Sequence, residues 1–166
     1  SLGELRTNPF GLPQNWEWEN YAGILLSQRY WQLLWNSMVI ATLTVVLTLI
    51  VSSMAAFVFA HITFFGSSML LSYLTMGLLF PAATAILPLF IRVRDLGLLD
   101  SYLGVALPQV AFSLAMSILL LRRFFKDLPH ELLEAALVDG CSYFDFFRHV
   151  TLPLSRPILA TVGTIT

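Results

Sequence analysis

Apolar residues dominate three long stretches of the chain, about 36–60, 69–91 and 102–121, and polar residues gather in the segments between them. Crossing the hydrocarbon core of a bilayer takes roughly 20 helical residues. Each stretch is long enough, and a further apolar run starts at about 157. In lipid a backbone must satisfy its own N–H and C=O groups, and helices do so within one segment. The pattern therefore predicts an all-α, polytopic membrane protein with about three full spans and part of a fourth. No Asp, Glu, Lys or Arg stands between Arg29 and Arg92, which excludes an ordinary soluble amphipathic fold for the first two stretches.

Composition agrees. The chain has 166 residues, 57% hydrophobic and 11% charged, whereas soluble domains carry about 25% charged residues. Its net charge of −1 and nine scattered Lys and Arg residues provide no basic stripe, so nucleic acid is not an expected partner. The single cysteine, Cys141, forms no internal disulfide, and His61, His130 and His149 are too scattered to indicate a metal site. Neither metal nor cofactor is expected. The sequence opens at Ser1 without the basic-then-apolar order of a signal peptide. Both ends read as internal to a longer chain, with a span missing before the first residue and another incomplete after the last.

Residues 1–30 read as an irregular extracytoplasmic loop leading into an interfacial segment. Trp16, Trp18, Tyr21, Tyr30, Trp31 and Trp35 suit the headgroup level, where an aromatic ring keeps one edge wet, or the packing of a small extramembrane lobe. In the first span, Thr44, Thr48, Ser52, Ala56 and Ala60 recur every fourth residue as a strip of small side chains. Such a strip permits close helix contact in lipid; the alternative is a polar wall of a pathway. The second span contains Pro81 and Pro88, with Thr84 between them. Each proline removes a backbone donor, and broken helices persist in bilayers where protein or water satisfies the freed carbonyls. Pro81, Thr84 and Pro88 are candidates for a translocation path, with a plain packing kink as the alternative. The third span is expected to be helical mainly after Pro108 and to end at Arg122, Arg123 and Lys126.

The polar segment 122–156 has its own design. Asp127 is placed to cap a short helix with Pro129 in its first turn. Leu133, Ala136, Leu137 and Gly140 share one face, Glu131 and Glu134 another. Gly140 supplies a left-handed exit. Ser142-Tyr-Phe-Asp145 fits a capping box for a second helix, which Pro153 is expected to end; Ser155 and Pro157 announce the next span. The hairpin thus has a face to bury and a face to present. Without further information it suits docking to a partner or lying on the membrane with Phe144, Phe146 and Phe147 in the headgroups, although its carboxylates oppose an anionic surface.

Pro129-x-Glu131-Leu-x-Glu134-Ala135-Ala136-x-x-Asp139-Gly140, followed by Leu152-Pro153-Leu154, resembles the cytoplasmic EAA loop of binding-protein-dependent ABC importer permeases. Gly97-Leu98, Ser101-Tyr102-Leu103-Gly104 and Leu107-Pro108 resemble the external loop of the carbohydrate branch, as does Leu12-Pro13 with Glu19-Asn20-Tyr21. The turn His61–Gly66 departs from the family in lacking Arg or Lys. The resemblance implies that 31–166 is an ABC importer transmembrane domain. In it, Glu131, Glu134, Ala135, Ala136, Asp139, Gly140, Leu152 and Pro153 would form the docking site for an ABC ATPase.

It further implies a second permease subunit, an extracytoplasmic binding protein, membrane lipid as surroundings and a small-molecule substrate, with a sugar or oligosaccharide favoured over a polyamine or amino acid. The location implied is the plasma membrane of a bacterium or archaeon. Orientation follows from the loop, because Arg122, Arg123, Lys126, Arg148 and Arg156 inside against Arg6, Arg29, Arg92 and Arg94 outside is a near tie. The chain is not expected to be an enzyme. Glu131 and Glu134 lack a pocket, nucleophile or metal ligand, and Lys126, the one lysine, lacks a phosphate loop. A membrane scaffold that docks a soluble partner is the reading from another class.

Overall fold

The computed structural model describes residues 18–166, and among these every regular element is helical. Trp16 and the turn residues before it lie outside the described residues. The chain divides into two compact units, Ser1–Val39 and Ile40–Thr166.

In the first unit, α1 spans Trp18–Leu25 and is followed at once by the start of α2, Gln28–His61. An irregular segment was expected up to residue 30. The local chemistry of Ser27 explains the difference: its hydroxyl donates to the Ile24 carbonyl at 2.7 Å and accepts from the Tyr30 N–H at 3.3 Å, closing one helix and opening the next. Trp31 Nε1–H donates to the Leu25 carbonyl at 2.8 Å. Trp18, Tyr21, Trp31 and Trp35 remain exposed.

The second unit holds the rest of α2, then α3 (Ser67–Gly77), α4 (Ala82–Asp95) and α5 (Tyr102–Lys126). Beyond these come α6 (His130–Val138), α7 (Tyr143–Phe146), a π-helical turn at Phe147–Thr151, α8 (Leu152–Leu154) and α9 (Arg156–Ile165). α2 is rich in β-branched residues that would favour strand in water. It has no Gly or Pro to interrupt it, and its length and hydropathy suit a bilayer crossing, as do those of α5. Large apolar side chains such as Val46, Ile50, Val51 and Met54 face outward from α2.

The strip of small residues faces inward. Thr44, Thr48, Ser52 and Ala56 are buried and Ala60 half-buried. Thr44 Oγ1 donates to Gln109 Oε1 of α5 at 3.1 Å. A Cβ added at Gly163 of α9 would stand 3.4 Å from Val45 and 3.6 Å from Leu49, ordinary contact distances that show how near α9 comes to α2. Packing is therefore what the strip does within this chain.

The run expected as one span over 69–91 is two helices. Leu78, Leu79 and Phe80 donate three residues back, to Thr75, Met76 and Gly77, tightening the end of α3. Pro81 disfavours helical geometry at the residue before it and is itself extended, with φ −70° and ψ 119°. α4 starts after it, and Thr84 Oγ1 donates to the Pro81 carbonyl at 2.8 Å. Pro88 lies inside α4.

α5 also departs from expectation, because it is helical from Tyr102, ahead of Pro108. Ser101 caps it by accepting from the Gly104 N–H at 3.0 Å, and that bond starts the helix ahead of the proline. α5 packs against α3, α4 and α9. The core lies at its far end, where Ile118, Leu121 and Phe125 meet Ala56 and Phe57 of α2, Leu133 of α6, Phe146 and Phe147, and Val162 of α9. Helices α2, α5 and α9 converge where the polar hairpin begins.

Candidate functional site: the hairpin between α5 and α9

Helix α5 runs to Lys126, and Asp127 closes it rather than opening α6. Asp127 N–H donates to the Arg123 and Phe124 carbonyls at 3.2 and 3.1 Å. Its carboxylate lies 3.6 Å from Arg123 Nε, an exposed pair. Pro129 is the N-cap of α6, with no side-chain cap bond. The expected cap at Asp127 is thus a correction: an acidic residue two positions before a proline also fits the end of a preceding basic helix, where it meets Arg123 one turn back.

The exit from α6 follows expectation. Gly140 has φ +84°, a conformation that costs an L residue about 1–2 kcal/mol. Cys141 N–H reaches the Ala136 carbonyl at 2.9 Å and Gly140 N–H the Leu137 carbonyl at 3.1 Å, together a Schellman motif. The predicted capping box also forms. Ser142 Oγ accepts from the Asp145 N–H at 3.2 Å, and Asp145 Oδ2 accepts from the Ser142 N–H at 3.1 Å. Bonds from the Ser142 hydroxyl and then its backbone hold the Asp145 carboxyl below its usual range, with smaller help from His149 and Arg148.

Pro153 does not end the second helix. The backbone passes from α7 through the π turn into α8, with Leu152 N–H donating five residues back to Phe147. Widening the turn just before a residue that has no N–H and needs room for its ring keeps the chain helical to Leu154. The break comes at Ser155, whose hydroxyl donates to the Thr151 carbonyl at 2.6 Å before α9 begins. Thr151 Oγ1 is buried with no partner among the described residues.

The hairpin's two faces are sharply different. Phe146 and Phe147 are buried against Phe57, with ring centroids 6.3 and 5.1 Å away, so they pack on the end of α2 instead of lying free for headgroups. Leu133 is buried and Ala136 half-buried, but Leu137 and Gly140, expected on the same inward face, are exposed. Arg122 Nε donates to the Phe59 carbonyl at 3.1 Å, satisfying one of the last carbonyls of α2. An apolar recess of about 210 Å³ lies beside the Phe57–Phe147 contact, lined by Met54, Phe57, Val58, Ile62, Tyr143, Phe144 and Phe147.

On the outer side, Glu131, Glu134, Ala135 and Asp139 are exposed, and Val138 is 87% exposed. Of the docking residues read from the sequence, Glu131, Glu134, Ala135 and Asp139 thus lie on the surface of one helix and its exit. Leu152, half-buried, and Pro153, exposed, belong to the second arm. Pro81, Thr84 and Pro88 are exposed on and before α4. Sequence reasoning passed over Ser68, Ser72 and Thr75, which line a recess of about 490 Å³ along α3. Their spacing of four and three residues was the available signal.

A family model described as binding-protein-dependent transport system inner membrane component matches residues 49–166, which include the whole hairpin. The chain belongs to that family of inner membrane transport components. Its similarity to a diacetylchitobiose uptake system permease protein of Streptomyces coelicolor is 36% identity over 98% of the chain and 54% of that protein. A trehalose transport system permease protein of Mycobacterium tuberculosis is 32% identical over 93% of the chain and 56% of its own length. Among solved structures, a bacterial ABC transporter involved in import of the polysaccharide alginate matches with a TM-score of 0.79. It is 27% identical and covers 93% of this chain and 54% of the other. This inner membrane component thus spans about half the length of the curated relatives it matches.

Proposed function

We propose that the chain is part of a permease subunit of an ATP-driven ABC importer that carries a sugar or oligosaccharide across a bacterial plasma membrane. A binding protein delivers the solute, a second permease completes the pore, and a separate ATPase subunit provides the energy. The observation that carries this reading is the two-sided hairpin. Its inner side joins α2, α5 and α9 in one core, and its outer side offers Glu131, Glu134, Ala135 and Val138 at an exposed helix surface. A partner that moved α6 would therefore move three long segments together. Relatives named for diacetylchitobiose, trehalose and alpha-glucoside support a carbohydrate as cargo.

The solute's route is proposed along the interrupted α3–α4 segment, where Pro81, Thr84 and Pro88 are exposed. The external signature Gly97 to Gly104 has a structural use instead. A Cβ at Gly104 would fall 2.1 Å from the Leu98 carbonyl oxygen, so only glycine fits. That motif builds a loop, and cargo choice falls to other residues.

The test is reconstitution of the full-length permease with its ATPase and second permease in vesicles. Sugar-loaded binding protein is expected to raise ATP hydrolysis several-fold, and Glu134→Lys to abolish the rise while leaving the permease in the membrane. ATPase docking with no sugar-stimulated turnover would favour the scaffold reading. A protease-sensitive tag at Asp139 is expected to resist digestion from outside intact cells; cleavage there would invert the proposed orientation.

A further inference from the structure

At the junction of α2 with the hairpin stands a histidine whose chemistry the coupling role does not use. His61 is the last residue of α2, and both of its ring nitrogens are shielded from solvent without a hydrogen-bond partner among the described residues. Its ring is enclosed by rings from three elements. Phe57 lies 4.9 Å away on α2, Phe146 6.0 Å away on α7 at an interplanar angle of 90°, and His130 6.3 Å away on α6 at 85°. A neutral imidazole suits this aromatic surrounding. An imidazolium there would lose its water and find no carboxylate.

The charges on every neighbouring element bear this out. From α6 the ring that faces His61 is His130, itself titratable, while Glu131 and Glu134 are exposed. From α5, Arg122 reaches the same end of α2 and bonds the Phe59 carbonyl. From α7 the carboxylate of Asp145 is held by Ser142. From the π turn, His149 Nδ1 lies 3.0 Å from the Asp145 carbonyl, and Arg148 is exposed. No carboxylate is paired with the His61 ring among the described residues.

We infer that His61 is a proton-sensitive latch, packed edge-on against the His130 ring, which holds the start of α6 against the end of α2 while the His61 imidazole is neutral and releases it when that ring is protonated. The direction is fixed by the burial. Protons bind better to the open arrangement, so the closed one is stable above the ordinary imidazole range and is lost as the pH falls. An effect on transport rests on the coupling role proposed above; the latch itself does not.

The test uses the full-length permease alone, in lipid nanodiscs, with the exposed Cys141 changed to Ser. Spin labels are placed at the exposed positions Thr63 and Val138, and their separation is measured by pulsed electron resonance at about pH 8 and about pH 6. One narrow distance is expected at the higher pH, with a longer and broader population at the lower. His61→Phe keeps a ring of similar size without the titration and is expected to show the narrow distance at both. Should that variant not accumulate, His61→Tyr, which also keeps a ring without the imidazole proton, is expected to reduce the acid population. Superimposable wild-type distributions at the two pH values would overturn the latch, as would undiminished acid broadening in either variant. Failure of sugar-stimulated ATP hydrolysis would leave these outcomes untouched, so the two readings fail separately.

Discussion

The α3–α4 segment and the second arm of the hairpin each contain proline within an otherwise helical run, and the fold treats them in opposite ways. At Pro81 the chain gives up its helix and leaves no fully buried residue in α3. Around Pro153 it widens to a π turn, stays helical, and packs Phe146 and Phe147 into the core just before the proline. The comparison shows that proline alone does not define a hinge. What decides is whether neighbouring side chains hold the two sides of the interruption. Near Pro153 they do, so displacement at α6 and α7 reaches α9 as motion of a packed body.

The contrast can be broken most directly by emptying the core. Phe147→Ala is expected to cost about 3–5 kcal/mol, as large-to-small changes of buried aromatics do. It should appear as a large fall in the melting temperature of the purified permease, and a loss within error would mean that the hairpin is not anchored. Gly104→Ala comes next, at roughly 1–3 kcal/mol, because the added methyl collides with backbone and cannot be relieved by a rotamer change.

Gly140→Ala is expected to cost about 1–2 kcal/mol from its left-handed conformation. Sugar-stimulated ATP hydrolysis should fall more than membrane content, since open space surrounds the position and only the elbow is strained. Thr84→Val, at an exposed site in the interrupted segment, removes one hydrogen bond and should change stability by about 0.5–1.5 kcal/mol. Transport assayed beside it would sharpen the contrast, because a loss of uptake with an unchanged melting temperature fits a path and not a packed joint. Arg123→Ala breaks an exposed ion pair and should shift stability by less than about 1 kcal/mol.

What the sequence disclosed follows the range of the interactions involved. The elbow at Gly140 and the box between Ser142 and Asp145 are contacts within a few residues, and their residue types name them. The small strip from Thr44 to Ala56 was legible as a periodicity, although only three-dimensional packing assigns it to α5 and α9 as neighbours. Asp127 was misread because end and start signals overlap where two helices are separated by three residues. The π turn escaped notice because the rule that proline stops a helix assumes the α register on both sides. The contact of His61 with His130 joins residues far apart in the chain, and no local pattern marks it.

The Schellman exit at Gly140 is made from backbone groups alone. Glu131, Glu134, Val138 and Asp139 are consequently exempt from shaping the bend they surround. In the docking role proposed above, geometry and recognition would therefore be inherited separately: substitutions on the outer surface would retune which protein is gripped without altering the angle of the bend. A hairpin built this way would be an interchangeable fitting, able to keep one stroke while its partner changes.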